Sequence, residues 1–435
     1  MSPELITILM FVFLFIGIFL GFPIAFTLTG LAFAFGYIAI GEGIFNLFAH
    51  RIYGVMTEYI YVALPLFVFM GCMLERSGVA EAAYDYLYGR FGHIKGGLAI
   101  ATVILCVIFA ASTGVVGAAV SAMGLIALPA MINRNYDKKI ASGVVGAGGT
   151  LGILIPPSIM LVLYAPMGGV SLVRLFAAAI VPGLLLGALY IAYVLLVGVI
   201  APEKLPALPK GELEKPSILE GLKTFLPFLF LIVSVLGLIF FGIAAPTEAA
   251  GMGAFGSIVV AAINRKLSFG SLYHAAITTL RLSAMILFVA VGATLFTTVF
   301  YRTRADHVVV DFLAGFGLTG YALLAAVLFL VFFLGMFIDW VGVLLIITPI
   351  FVPILVAEGF NPLWVGMLMM VLLQSSFLTP PFAYTLFYIK GVAPKSVTLS
   401  DIYLGAIPFV IIQLIVLLLC IFIPAIITWL PAVLY

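Results

Sequence analysis

The sequence predicts an all-α polytopic membrane protein. Of its 435 residues, 65% are hydrophobic and only 8% are charged, whereas a soluble domain carries about 25% charged residues. Continuous apolar runs of about 20 residues recur along the chain, which is the length a helix needs to cross a bilayer. The runs do not alternate with polar residues as the strands of a membrane barrel do. Because helices satisfy their own backbone hydrogen bonds in lipid, the fold is expected to be helical.

One polar linker divides the chain into two halves. It covers residues 202–223 and combines four prolines with charges of both signs, a composition typical of a linker. The linker separates residues 1–201 from residues 224–435 and is expected to lie on the inside. The predicted apolar segments are 5–21, 23–41, 58–75, 97–131, 140–167, 175–201, 224–243, 245–263, 281–301, 320–356, 364–389 and 401–430.

The two halves repeat at an offset of 224 residues without a gap. Single apolar matches mean little in so hydrophobic a chain, but a double proline in register within two membrane segments is hard to obtain by chance. Interrupted helices at corresponding positions of two repeats are the best sequence indication of a transporter binding site. The matching pairs include Phe109 with Phe333, Pro129 with Pro353, Pro156-Pro157 with Pro380-Pro381, and Tyr164 with Tyr388.

Two apolar segments are too long for one crossing and too short for two crossings with a turn. Residues 97–131 contain Ser112-Thr113-Gly114 near their middle, and residues 320–356 contain Asp339. We predict that both segments are re-entrant hairpins. Irregular backbone of this kind is tolerated at membrane depth only where it is buried in protein or lines a cavity.

The positive charges support this topology. With both hairpins re-entrant and the N-terminus outside, fourteen Lys and Arg residues fall in inside loops and four in outside loops, as the positive-inside rule requires. The first four residues lack the basic flank of a cleaved signal peptide, so the first segment is expected to be a retained helix. Each half then crosses the membrane five times. An odd number of crossings makes the halves inverted repeats and places both termini outside.

The interrupted helices 140–167 and 364–389 are the predicted site. Proline removes a backbone donor and disfavours helix in the preceding residue, so a double proline frees carbonyls of the preceding turn. Carbonyl and hydroxyl oxygens suit a small hard cation such as sodium, and the helix that restarts beyond the break attracts a carboxylate. The alternative is a proline kink used only for packing. The predicted sodium ligands are Ser112, Thr113, Gly114, Gly149, Gly152, Asp339, Ser376 and Thr379, and the predicted substrate-binding residues are Thr150, Ser158, Ser375, Thr379 and Tyr384.

Asp339 is the most isolated acidic residue within an apolar stretch. Charges at bilayer depth are costly and usually functional. Asp339 could bind a cation, accept a proton, or hold the hairpin tip by accepting backbone N–H bonds.

Several activities are disfavoured by what the sequence lacks. It has no Gly-x-Ser-x-Gly elbow, no His-Glu-x-x-His and no phosphate-binding loop. An enzyme and an ATP-driven pump are therefore not expected, no cofactor is predicted, and energy should come from an ion gradient. Basic patches with interleaved aromatic residues are also absent, which argues against nucleic acid as a partner.

Four spaced motifs resemble one known family. They are Ala-Ser-Thr-Gly-Val-Val-Gly-Ala at 111–118, Gly-Gly-Thr-Leu-Gly-Ile-Leu-Ile-Pro-Pro-Ser-Ile-Met at 148–160, Gly-Met-Phe-Ile-Asp-Trp at 335–340 and Ser-Phe-Leu-Thr-Pro-Pro-Phe at 376–382. Together they resemble the large, DctM-like subunit of tripartite ATP-independent periplasmic (TRAP) transporters, and the likeness covers essentially the whole chain.

The resemblance implies an ion-coupled secondary transporter that imports an organic acid, usually with sodium, by an elevator motion. It implies two protein partners: a small four-helix membrane subunit, here expected as a separate chain, and a periplasmic substrate-binding protein. The implied location is the bacterial inner membrane, with both termini periplasmic. The alternative is a stand-alone sodium symporter of the divalent-anion or citrate type. An intramembrane enzyme or a channel is less favoured, because no nucleophile–base pair and no continuous polar pore can be found.

Overall fold

The fold is helical throughout the part of the chain that the structure describes. The computed structural model describes residues 2–113, 116–209 and 216–435, and the side chains of 110–113 and 118 fall outside that description. All regular elements in these ranges are helices. Six of them are long and apolar enough to cross a membrane, or up to eight if each of two bent helix pairs forms one span. The predicted all-α polytopic fold is thereby confirmed.

The helices of the first half follow the predicted segments closely, apart from short helices between them. Within residues 2–113 and 116–209 the α-helices are α1 (Pro3–Phe19), α2 (Ile24–Ile40), α3 (Gly43–Met56), α4 (Ala63–Glu75), α5 (Val79–Phe91), α6 (Gly97–Thr113), α7 (Val116–Asn133), α8 (Lys138–Thr150), α9 (Ile159–Met167) and α10 (Leu172–Ile200).

The second half repeats this order at the same offset. Helix α7 and helix Trp340–Ala357 have corresponding first and last residues when 224 is added. One difference is that α3 and α4, which are bent by 52°, correspond to a single long helix in the second half. From residue 216 onward the α-helices are α11 (Ile218–Phe240), α12 (Pro246–Ile263), α13 (Phe269–Arg302), α14 (Ala305–Gly315), α15 (Gly320–Gly335), α16 (Trp340–Ala357), α17 (Pro362–Ser376), α18 (Tyr384–Val392), α19 (Leu399–Phe422) and α20 (Ala425–Leu434).

Corresponding caps start the two broken helices. The Asp137 side chain accepts hydrogen bonds from the backbone N–H groups of Lys139 (2.9 Å) and Ile140 (3.3 Å) at the start of α8. Asn361, which lies 224 residues later, accepts from Leu363 N (2.9 Å) at the start of α17. A side-chain cap of this kind contributes about 1 kcal/mol. The repeat therefore extends from the double prolines back to the first turn of each broken helix.

Three boundaries differ from the predicted segments. Helix α11 begins at Ile218, inside the range predicted as linker, because Ser217 and Glu220 form a capping box. Helix α13 begins at Phe269, three turns before the predicted segment 281–301, because Ser271, His274 and Thr278-Thr279 interrupt the apolar residues of its first turns. The predicted segment 401–430 is divided between α19 and α20 at residues 423–424, where Pro424 follows the last turn.

The helices form two packing groups. In one, α8 packs against α6, α7 and α19, and α17 packs against α10, α15, α16 and α19. Helices α8 and α17 are buried along nearly their whole length, so they are the centre of this group. In the other group, α12 and α13 pack against α4, and α13 also packs against α2 and α3. The short helices α5 and α14 precede the two helix pairs α6–α7 and α15–α16.

Candidate functional site

The first break is buried on all sides. Helix α8 ends at Thr150, a single 3-10 turn covers Leu151–Ile153, and α9 begins at Ile159. Every residue from Thr150 to Ile159 is buried. The Ser158 hydroxyl donates to the carbonyl of Ile153, so this side chain bridges the break rather than facing an opening.

The predicted site residue Thr150 belongs to a buried polar cluster that sequence reasoning missed. Its hydroxyl donates to Ala147 O (2.8 Å) and accepts from the Gln413 side-chain amide (3.4 Å). The same Gln413 nitrogen donates to the hydroxyl of Tyr190 (2.8 Å). All three side chains are buried. Thr150 thus joins α8 to α10 and α19.

The second break is partly exposed, whereas the first is fully buried. Helix α17 ends at Ser376 and α18 begins at Tyr384. Between them Thr379 is half-buried, and Pro380, Pro381 and Phe382 are exposed. Both double-proline peptide bonds, 156–157 and 380–381, are cis. The two breaks therefore share their backbone pattern but differ in accessibility.

The turn between α15 and α16 lies directly on the second break. The backbone N–H of Phe382 donates to Met336 O (3.2 Å), and the Tyr384 hydroxyl donates to Phe337 O (3.4 Å). A Cβ placed on Gly335 would lie 2.6 Å from both Cβ and Oγ of Ser376, so only glycine permits this approach. The two segments that the sequence marks as irregular in the second half are thereby brought together.

Asp339 lies beside the contact between the α15–α16 turn and the second break, which we call the junction. It is half-buried and caps α16 by accepting from Val341 N (3.4 Å). It lies within electrostatic range of the hydroxyls of Tyr384 and Tyr388. The ring of Tyr388 is also close to α7, because a Cβ on Gly117 would lie 2.9 Å from it. Tyr388 is therefore near both the start of α7 and Asp339.

Oxygen atoms that could hold a cation are concentrated at the end of α17. The Ser376 hydroxyl is buried without a hydrogen-bond partner among the described residues, and so is the amide of Gln374. The hydroxyls of Ser375 and Thr379 donate to Leu372 O (2.6 Å) and Ser375 O (2.7 Å). A hydroxyl that donates keeps lone pairs for a cation. The oxygen atoms at the end of α17 are therefore better suited to bind a small cation than the enclosed oxygen atoms of the first break.

No cluster of three or more His, Cys, Asp or Glu side chains suits a metal ion within the described ranges. A cation here would therefore rely on hydroxyl and carbonyl oxygens with Asp339. The other buried hydroxyls without a partner in the described part of the chain include those of Thr348 on α16 and Thr385 on α18.

The structure places the predicted site residues in two separate environments. Four of them lie at the second break, namely Asp339, Ser376, Thr379 and Tyr384, and Ser375 lies one turn earlier on α17. Thr150 and Ser158 are enclosed in the first break.

Two predicted glycine ligands lie near the first break. Gly149 contacts α7, because a Cβ there would lie 2.2 Å from a Val120 methyl carbon, and Gly152 is buried in the 3-10 turn. Gly114 lies outside the described residues, as do the side chains of Ser112 and Thr113. Their ligand roles stay predictions.

Sequence reasoning missed four polar side chains of this region. The sequence indicates Tyr388 only as a repeat match, and Gln374 carries no signal of its own. Gln413 and Tyr190 carry no local signal, because Gln413 is 263 positions from Thr150 and 223 from Tyr190. A polar amide within the apolar helix α19 is the one feature that could have pointed to Gln413.

Two helices broken at repeat-related positions, one of which meets the α15–α16 turn at a polar junction, are typical of a membrane transport protein of the secondary-transporter class. Residues 7–426 match the family model of the tripartite ATP-independent periplasmic transporter, DctM component. The chain belongs to this family, and it is a multi-pass membrane protein of a TRAP transporter.

Individual relatives agree with this assignment. The chain is 33% identical over 386 residues to the C4-dicarboxylate TRAP transporter large permease protein DctM of Pseudomonas aeruginosa, with 88% of each chain covered. It is 32% identical to the isethionate TRAP transporter permease protein DctMQ of Oleidesulfovibrio alaskensis, where the match covers 93% of this chain and 63% of the relative. In fold, it is similar to the YdaH transporter of Alcanivorax borkumensis, with a TM-score of 0.65, 15% identity and 98% of each chain covered.

Proposed function

We propose that this chain is the membrane permease of a sodium-coupled importer for an organic acid. The observation that carries the proposal is the second break, where half-exposed Thr379 and the start of α18 lie beside the acidic residue Asp339. A polar, accessible junction inside an apolar helical protein is the expected form of a substrate site.

The chemistry of the junction supports coupling between a carboxylate and a cation. The first N–H groups of α18 favour an anion, while Asp339 repels one. A sodium ion held by the oxygens of Ser376, Thr379 and Asp339 would offset that repulsion, because an opposite charge nearby stabilises buried anions. Neither the acid nor the cation would bind well alone. Binding together is what symport requires.

The packing supports an elevator motion in which one helix group carries the site past the other. In this proposal the pairs α6–α7 and α15–α16 are the re-entrant hairpins, and the two halves are inverted. The two groups meet where Tyr301 of α13 donates to Pro349 O of α16 (2.6 Å). The Phe19 ring of α1 meets the Phe337 ring of the α15–α16 turn edge to face at 5.3 Å.

We infer the location and partners from the family. The chain would reside in the bacterial inner membrane with both termini periplasmic. It would receive its acid from a periplasmic binding protein and act with a small membrane subunit. The relative named DctMQ is longer than this chain, so the match to it covers only part of that protein.

Uptake into liposomes tests the proposal against its alternative. We expect labelled acid to accumulate after an inward sodium jump only when the chain, the small subunit and the loaded binding protein are all present. Accumulation by the chain alone would instead favour a stand-alone symporter of the divalent-anion type. Uptake that does not depend on the sodium gradient would contradict the proposed coupling.

A further inference from the structure

Charged side chains are almost absent from the segments that form the two breaks and the two helix pairs. Asp339 is the only charged residue in the sequence ranges 97–133, 140–167, 320–357 and 362–389. Arginine, which binds a carboxylate through two parallel hydrogen bonds, is a common partner of a carboxylate in proteins. These segments supply neither arginine nor lysine for that purpose.

The lysines that flank the broken helices are held away from the junction. Lys390, in the last turn of α18, donates to Val397 O (2.8 Å). Lys138, the first residue of α8, donates to Ser396 O (2.7 Å). Both carbonyls belong to the connection between α18 and α19. The junction lies at the opposite end of α18, beside Tyr384, so neither ammonium group is directed toward it.

This distribution of charge limits how many carboxylates an acid bound at the junction can carry. One carboxylate is favoured by the first N–H groups of α18 and by a sodium ion beside Asp339. A second carboxylate would find no positively charged partner in these segments and would add to the negative charge of Asp339. A charge that is withdrawn from water without a partner is costly. The site therefore favours an acid with a single carboxylate.

Aromatic rings are concentrated at the same junction. Phe382 and Tyr388 are each 47% exposed. The rings of Phe382 and Tyr384 are nearly parallel, with centroids 6.2 Å apart and an interplanar angle of 18°. Phe382 also meets Phe337 of the α15–α16 turn at 6.2 Å. Tyr384 and Tyr388 lie one turn apart on α18 and thus on one face. Partly exposed rings of this kind favour an aromatic group as their partner.

We propose that the acid carried by this permease is an aromatic monocarboxylate. Its carboxylate lies at the start of α18 beside Thr379, and its ring packs on Phe382 and Tyr388. The inference rests on the proposed function and names the substrate class of the same site. It separates this chain from the Pseudomonas aeruginosa relative, whose name states a C4-dicarboxylate.

Calorimetric binding to the complex of this chain and its small subunit in nanodiscs tests the inference. The binding protein is omitted, so that the measured selectivity belongs to the membrane subunits. The probes are phenylpropionate, its saturated analogue cyclohexylpropionate, and benzylmalonate, which is phenylpropionate with a second carboxylate. The monomethyl ester of benzylmalonate keeps the added bulk but carries only one charge. All titrations are made with and without sodium, at a pH where both carboxylates of benzylmalonate are ionised.

The account predicts an order of affinities in the presence of sodium. Phenylpropionate should bind at least about tenfold more tightly than benzylmalonate, and the monomethyl ester should bind within about threefold of phenylpropionate. Phenylpropionate should also bind about two- to tenfold more tightly than cyclohexylpropionate, as expected for one aromatic contact.

Variants separate the ring from the charge. Phe382→Leu keeps an apolar side chain and removes the ring, so it should abolish the preference over cyclohexylpropionate and retain the discrimination against benzylmalonate. Tyr388→Leu makes the same test from the other ring if the first variant is poorly folded. Phe230→Leu, at an exposed position of α11, should change neither preference.

Three results would overturn the inference. Sodium-dependent binding of benzylmalonate as tight as that of phenylpropionate would do so while leaving sodium coupling in place. An unchanged ring preference in both leucine variants would show that the rings do not contact the acid. Failure of all four acids to bind would also overturn it, and sodium-driven uptake of some other acid by the three-component system would then show that the proposed function stands without it.

Discussion

Tyr164 and Tyr388 occupy corresponding positions in the two halves but stand in opposite environments. Tyr164 is fully buried, and its hydroxyl donates to the carbonyl of Pro362 (2.6 Å), the first residue of the other broken helix. Tyr388 is 47% exposed and lies against Gly117 beside Asp339. One tyrosine fixes the two broken helices together, and the other is available to a ligand.

The tyrosine pair gives the first prediction. Tyr388→Ala should lower sodium-dependent uptake about tenfold, equivalent to about 1.4 kcal/mol of lost binding, with little change in melting temperature because the ring is half exposed. Uptake by the three-component system in liposomes and thermal unfolding in detergent provide the two readouts.

Tyr164→Phe is the matched variant for that comparison. It should lower the free energy of unfolding by about 0.5–1.5 kcal/mol, because the partly buried carbonyl of Pro362 loses its donor. Uptake per folded molecule should remain near that of the unaltered protein. A reversed outcome, with Tyr388→Ala unstable but active, would place the ligand elsewhere.

The charge of Asp339 can be tested without removing its helix cap. Asparagine caps helices about as well as aspartate, so Asp339→Asn should keep α16 intact while removing the negative charge. We expect the sodium concentration for half-maximal uptake to rise about tenfold. Thermal unfolding should be nearly unchanged.

Thr379 provides an independent test of the cation ligands. Thr379→Ala should weaken sodium dependence, whereas Thr379→Ser keeps the hydroxyl and should behave like the unaltered protein. If Asp339→Asn and Thr379→Ala both leave sodium dependence intact, the cation does not bind at the second break.

The approach of the hairpin turn to the second break depends on Gly335. In Gly335→Ala the new methyl group would meet Ser376 at 2.6 Å, and overpacking of this kind costs about 1–3 kcal/mol. We expect uptake to be lost through displacement of the turn. Gly391→Ala, in α18, meets no atom within 4 Å and is the control. Equal effects of the two substitutions would show that the contact is unimportant.

The buried cluster of Thr150, Gln413 and Tyr190 predicts energetic coupling. Thr150→Val and Gln413→Leu should each destabilise the protein, and the double variant should be less unstable than their sum by about 0.5–3 kcal/mol. Thermal or denaturant unfolding of the four proteins measures this coupling. Additive effects combined with a selective loss of substrate affinity in Thr150→Val would instead support the predicted substrate-binding role of Thr150.

The sequence predicts a helix break wherever the residues at that position themselves cause it. Pro156-Pro157 and Pro380-Pro381 cannot continue a helix, and Asp339 caps whatever helix follows it, so both broken helices and the second hairpin turn could be predicted. The boundary at Ile218 was missed although the Ser217–Glu220 capping box is local. Its charged residues resembled a linker more than the first turn of a membrane helix.

The accessibility of the two breaks could not be predicted. Thr150 lies six residues before one double proline and Thr379 lies directly before the other. Thr150 is nevertheless enclosed by α10 and α19, whereas Thr379 is half-buried. Burial depends on which helices cover a segment, and those helices come from distant parts of the chain. The same reason hides Gln413, whose partners lie 263 and 223 residues away.

The most direct test is a cryo-electron microscopy map of the three-component complex with sodium and the transported acid. We predict density for the acid between Tyr388, Thr379 and the start of α18, with a cation near Ser376 and Asp339. Acid density remote from the second break, or an unbroken helix through residues 377–383, would contradict the account.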